Sequence, residues 1–221
     1  MKLAAIFPGQ GAQSVGMLAD IAGAHASVKA KFDVASEVLG FDLWSIVQEG
    51  TAEVLGSTEN TQPALLVASV ALWELWSAGG EKVNVMAGHS LGEYSALVCA
   101  GAMSFEDGVR LVRTRGELMQ RAVPSGQGGM AAVLGLDDDA IEACCALVAG
   151  EVSVANYNAP GQVVIAGDMS AVDEAIEACK AAGAKRALKL NVSGPFHSKS
   201  MASAADDFSE ALDAIAVVMP T

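Results

Sequence analysis

The stretch Ala87-Gly88-His89-Ser90-Leu91-Gly92-Glu93 restricts the folds open to this chain more than any other. Before it, Val83 to Met86 is β-prone and reads as a strand; after it, Tyr94 to Ala100 is apolar and helix-prone. A serine between glycines at a strand-to-helix turn has the pattern of a nucleophile elbow, where small residues let the backbone bend sharply and lift the hydroxyl clear of the sheet. The turn also sets Ser90 at a helix N-terminus, whose N–H groups suit an oxyanion. With 23 glycines among 221 residues, an ordinary glycine-rich βα turn is the competing reading of these residues taken alone.

A hydrophobic content of 52% is enough to bury one large core or two modest ones. The apolar run Leu3 to Phe7 is broken by Pro8-Gly9 before it reaches signal-peptide length, and Leu65 to Trp73 is too short to span a bilayer, so a cytoplasmic protein is expected. The net charge of −13 argues against nucleic acid and anionic membranes as partners. Cys99, Cys144, Cys145 and Cys179 form no C-x-x-C pair and read as reduced, mostly buried thiols; no metal or tightly held cofactor is implied.

Leu3 to Phe7 reads as a first strand, turned by Pro8-Gly9-Gln10-Gly11. The spacing of Gly9, Gly11 and Gly16 does not fit a dinucleotide fingerprint, so a loop turning a backbone N–H toward a site is the better reading. Helical periodicity covers about 14–24, 27–39 and 44–48, and a long apolar helix runs from Thr61-Gln62-Pro63 to about Ala78. After the elbow helix ends at Gly101, Ser104 caps a second helix. The elbow helix rises about 17 Å, so an equal antiparallel return comes back level with Ser90 near Arg115. Arg115 lies on the otherwise small or apolar row Gly108, Leu111, Leu118 and Ala122, whereas Arg110, Arg113, Glu117 and Arg121 fall on polar rows. Two partners suit a cation so placed: a structural carboxylate in a buried salt bridge, or a substrate carboxylate gripped by the guanidinium fork.

From Met130 to Val192 the order is β-α-β-β-α-β, the ferredoxin-like split βαβ, entered through the small-residue linker 124–129. The expected fold is α/β: a large α/β-hydrolase-like domain with a parallel sheet, residues 1–124 and 193–221, carrying an inserted ferredoxin-like subdomain, residues 125–192. His197, after the Gly194-Pro195 turn, is the candidate general base for Ser90, with a structural loop histidine as the alternative. Lys180, Lys185, Arg186, Lys189 and Lys199 form the densest basic stretch, either a docking patch for an acidic partner or a solvated face.

Taken in order, Phe7-Pro8-Gly9-Gln10-Gly11, Thr61-Gln62-Pro63-Ala64, Gly88-His89-Ser90-Leu91-Gly92-Glu93-Tyr94, Arg115-Gly116, Asn156 through Gln162 and Gly194-Pro195-Phe196-His197-Ser198 closely resemble the malonyl-CoA:acyl carrier protein transacylase family of fatty-acid and polyketide synthesis. The resemblance spans nearly the whole chain. It implies an [acyl-carrier-protein] S-malonyltransferase in which Ser90 attacks the malonyl thioester of malonyl-CoA and His197 takes its proton. The N–H groups of Gln10 and Leu91 would hold the oxyanion, and Arg115 would pair with the malonyl carboxylate. Phe196 would crowd the α-carbon, and Gln62 and Asn158 would bind substrate. The phosphopantetheine thiol of acyl carrier protein would then take the acyl group from a monomeric enzyme. Family members continue beyond the equivalent of Thr221, so the resemblance reads as a C-terminally truncated member, lacking strands, a glutamine near the site and the carbonyl that orients the histidine. Two other readings stand beside it. One is a serine esterase or thioesterase, for which Asp137, Asp138 and Asp139 are badly placed as a third triad member. The other is an impaired fragment that only binds acyl-CoA or carrier protein.

Overall fold

In the computed structural model, residues 2–80, 82–124 and 126–220 are described; Ser125 of the expected linker and the terminal Thr221 lie outside them. The chain divides into two compact units, Met1–Glu117 with Phe208–Thr221, and Leu118–Asp207.

The first unit runs β1 (Ala4–Phe7), α1 (Ala19–Ala24), α2 (Ala26–Leu39), α3 (Leu43–Glu49), α4 (Ala52–Gly56), α5 (Thr58–Ser77), β2 (Val85–Gly88), α6 (Gly92–Cys99) and α7 (Phe105–Ala122), whose last turns pass into the second unit. β1 and β2 form a parallel pair with Phe7 opposite Gly88. Its core is built on α5, buried at every residue from Thr61 to Ala71, a segment that is apolar around nearly its whole circumference apart from Thr61, Gln62 and Ser69. Phe32, Leu43, Val47, Leu91 and Val109 close around Leu66 and Val67.

Several boundaries differ from the sequence reading, each for a local reason. The helix expected from residue 14 begins only at Ala19, because Gly16 and Leu18 take left-handed φ values of 80° and 66°. α4 was not expected; Thr51 Oγ1 caps it by accepting from the Val54 N–H at 3.2 Å. α5 starts at Thr58, not Thr61, so Pro63 lies inside the helix instead of in its first turn. Its missing N–H would have served the Glu59 carbonyl, and Arg113 Nη1 donates to that carbonyl at 3.1 Å instead. The elbow strand reaches Gly88, two residues beyond Met86.

The second unit contains β3 (Gly128–Leu134), α8 (Asp138–Leu147), β4 (Val152–Ala159), β5 (Gln162–Asp168), α9 (Met169–Ala181), β6 (Arg186–Lys189) and the start of α10 (Ala202–Asp213), which ends in the first unit. The sheet order β4-β5-β3-β6, antiparallel throughout, is the ferredoxin-like arrangement. Strand alternation sorts the faces: Ala131, Val133, Val163, Ile165 and Ala187 pack under α8 and α9 with Ile141, Val172 and Ile176. Met130, Val164 and Ala166 point the other way and pack with Met119 and Phe196. Residues 118–124 and 193–207, which the sequence places in the large domain, belong to this unit, with Met119, Phe196 and Met201 packed in that second cluster. Among the described residues no helix is long and apolar enough to cross a membrane.

Candidate active site

The site starts from the pairing of two short strands. The His89 N–H donates to the Phe7 carbonyl at 3.1 Å, so the loop after β1 and the turn after β2 leave the same end of the sheet side by side. That is the carboxyl end of parallel strands, where α/β proteins place their chemistry. Ser90 sits in the turn with φ of 53°, a left-handed conformation that a serine takes only under constraint.

Glycines make the turn possible by close approach. A Cβ at Gly88 would stand 1.9 Å from the Gly92 carbonyl carbon, and one at Gly92 would stand 2.1 Å from the Phe7 oxygen. At Gly9 it would meet the His89 oxygen at 2.6 Å. In each case the obstacle is backbone, which no rotamer change relieves. Gly92→Ala is therefore expected to destabilise the chain by about 3 kcal/mol. Urea denaturation checks this; a midpoint equal to that of the parent chain would refute the packing argument.

The amide hydrogens beside the serine are uncommitted. Among the described residues, the backbone N–H groups of Gln10 and Leu91 carry no hydrogen bond. Both lie in the adjoining turns, while the next amides are used: Gly92 N–H donates to His89 O at 2.9 Å and Gly11 N–H to Gln13 Oε1 at 2.8 Å. The Gln10 side chain is tied back, its Nε2 donating to Thr58 Oγ1 at 3.3 Å.

Arg115 returns to the level of the serine, as the helix-rise arithmetic expects: its Nη2 donates to Ser90 Oγ at 3.3 Å and its Nη1 to the buried Gln62 Oε1 at 2.9 Å. Its guanidinium carbon lies 5.5 Å from the centre of the Tyr94 ring. Among the described residues no carboxylate stands within ion-pair distance of it. Burial pulls its pKa below the usual arginine range, opposed by Tyr94 and Glu93, and the group remains a cation.

Arg113, two residues earlier, is the opposite case. The sequence reading put it on a polar row, yet it is only 23% exposed and fully engaged: Nε to Glu117 at 2.7 Å, Nη1 to Asn60 Oδ1 at 2.8 Å, and its plane over Phe41 at 5.1 Å. Arg113 is a structural arginine; Arg115 is a cation seated on neutral groups.

The remaining sequence candidates lie in the second unit. Phe196 is buried against Met130 and Val164. His197 is exposed and holds a left-handed φ of 62°. Asn158 stands on the exposed end of β4, where the register with β5 shifts between Tyr157 and Ala159. Of the basic stretch, Lys180 is paired with Glu177 at 2.8 Å and Lys189 with Asp173 at 2.7 Å. The cysteine thiols are no rivals to Ser90 as nucleophile. Burial, aided by neighbouring groups, pushes Cys99 and Cys179 up to about 12 and Cys145 to about 11, leaving them protonated at neutral pH. Two residues are not singled out by the sequence, Thr58 and Tyr94; Tyr94 stands in the stretch that carries the family resemblance, but nothing in its spacing marks it as a neighbour of Arg115.

A constrained serine with open amides at its side suits covalent acyl transfer, and comparison with known proteins agrees: residues 5–221 match the acyl transferase domain, and the chain belongs to that family. Within it, the malonyl CoA-acyl carrier protein transacylase of Salmonella typhimurium is 56% identical over 223 residues, covering 100% of this chain and 72% of that protein. A solved malonyl-transacylase, in complex with its type II polyketide synthase acyl carrier protein, superimposes with a TM-score of 0.97 at 53% identity, over 100% of this chain and 72% of its own. The acyl carrier protein S-malonyltransferase of Vibrio cholerae gives 0.95 at 54% identity, over 100% and 73%.

Proposed function

We propose that this chain transfers the malonyl group of malonyl-CoA to the phosphopantetheine thiol of acyl carrier protein, as an [acyl-carrier-protein] S-malonyltransferase of fatty-acid synthesis working in the cytoplasm. The observation that carries the reading is Arg115, a half-buried cation against Ser90 Oγ whose described partners are all neutral. A plain acyl group would leave that charge uncompensated; a malonyl group brings the carboxylate it lacks.

In this mechanism Ser90 Oγ attacks the thioester carbonyl and its proton passes to His197. The negative charge forming on the carbonyl oxygen is held by the amide hydrogens of Gln10 and Leu91. Collapse of the tetrahedral intermediate breaks the carbon–sulfur bond, and the coenzyme A sulfur leaves with the proton from His197. The carrier thiol then attacks the malonyl-serine ester by the same route in reverse, in a ping-pong cycle. Gln62 holds Arg115 in place toward the carboxylate, Phe196 limits the space at the α-carbon, and Asn158 binds substrate. No resident cofactor takes part.

The direct test is intact mass after incubation with malonyl-CoA or acetyl-CoA, followed by peptide mapping. A malonyl adduct on the Ser90 peptide that disappears when acyl carrier protein is added is the expected result. Release of free malonate with no carrier product would make the chain a hydrolase, and absence of any adduct would overturn the reading.

A further inference from the structure

We infer that Tyr94 is a positioning residue for malonyl selectivity, its ring forming the seat that keeps the Arg115 guanidinium facing the acyl-serine. The inference rests on the function proposed above. Tyr94 lies in the first turn of α6, four residues after Ser90, with its N–H on the Leu91 carbonyl at 3.0 Å. Its ring stands 5.5 Å from the Arg115 guanidinium carbon. Phe208 of α10 meets the same ring edge-on at 6.0 Å and 81°, so the ring is packed as well as placed. Burial raises the phenol pKa, with the Arg115 charge pulling the other way, and the ring stays neutral at working pH.

The argument turns on what happens to the contacts of Arg115 during the reaction. In the free chain the guanidinium has three neighbours: Gln62 Oε1, Ser90 Oγ and the Tyr94 ring. Acylation turns Ser90 Oγ into an ester oxygen, a weak acceptor, and removes one of the three. Gln62 then fixes a single N–H, about which a guanidinium can still rotate. The aromatic ring supplies the second constraint, because a guanidinium resting on a π-face keeps its charge there and leaves its N–H edges outward for a carboxylate. Any apolar side chain of similar bulk would fill the space and lack that attraction.

The experiment is competitive labelling of Ser90 by an equal mixture of malonyl-CoA and acetyl-CoA, read by mass, for the parent chain, Tyr94→Phe and Tyr94→Leu. The malonyl-to-acetyl ratio is insensitive to a general loss of folded protein, which lowers both adducts together. We expect Tyr94→Leu to lower the ratio about tenfold, with KM for malonyl-CoA raised, and Tyr94→Phe to restore most of it. An unchanged ratio in Tyr94→Leu, or a ratio in Tyr94→Phe as low as that of the leucine variant, overturns the inference while leaving the function in place. A parent chain that takes no malonyl overturns the functional reading, and this inference with it.

Discussion

Ser90→Ala is expected to abolish the malonyl adduct and to lower transfer to acyl carrier protein by about five orders of magnitude, the loss seen when a nucleophile is removed from a site whose other groups act only through it. The amides of Gln10 and Leu91 and the cation of Arg115 remain in such a variant, but none of them can form the covalent intermediate. Cys99, Cys145 and Cys179 offer no bypass, since burial pushes their thiols up to about 12, 11 and 12. A second substitution separates chemistry from strain. Ser90 carries φ of 53°, a conformation that costs a non-glycine residue about 1 kcal/mol. Alanine keeps that cost and glycine removes it, so Ser90→Gly should be equally inactive yet more stable than Ser90→Ala by about 1 kcal/mol. Mass spectrometry reads the first effect and denaturant melts the second. An adduct that survives in Ser90→Ala, or maps to another residue, would move the nucleophile elsewhere.

What could be read from the sequence follows from which interactions are local. The elbow was legible because one of its constraints is local, Gly88 against the Gly92 backbone four residues on; the approach of Gly92 to Phe7, far off in sequence, shows only in the fold. The split βαβ was legible because alternation and helical periodicity are both local signals, and the sheet order follows from them. Boundaries failed where one residue overrode a periodic pattern, as Leu18 did at φ of 66° before α1. The two arginines of α7 mark the deeper limit. Helical rows put Arg115 on the buried side, and it is there; the same rows put Arg113 on a polar face, yet its side chain is only 23% exposed. Arg113 is drawn in by a carbonyl that Pro63 leaves without its helical donor, an acceptor 54 residues away in sequence. Tyr94 was overlooked for the same kind of reason. An aromatic after an elbow is unremarkable until the return helix brings a cation against it.

Arg115→Ala is expected to lower malonyl labelling of Ser90 by two to three orders of magnitude, about 3–4 kcal/mol, while acetyl labelling falls far less. Truncating Arg115 removes the partner of a carboxylate that must leave water to reach the serine, so the full desolvation of that carboxylate goes uncompensated. An acetyl group carries no such charge, so it loses little when the cation is removed. Stability should move the other way from activity. Arg115 has only neutral described partners and its own desolvation to bear, so the alanine variant is expected to melt within about 0.5 kcal/mol of the parent or slightly above it. Arg113→Ala supplies the contrast on the same helix. It frees the Glu59 carbonyl, Asn60 and Glu117 together and uncovers Phe41, and should destabilise by about 2 kcal/mol while leaving the malonyl-to-acetyl ratio unchanged. A ratio that fell equally in both variants would make Arg115 one more structural arginine and remove the basis for malonyl recognition; a ratio lost only in Arg115→Ala, with the melt intact, places selectivity in a single charge set against the nucleophile.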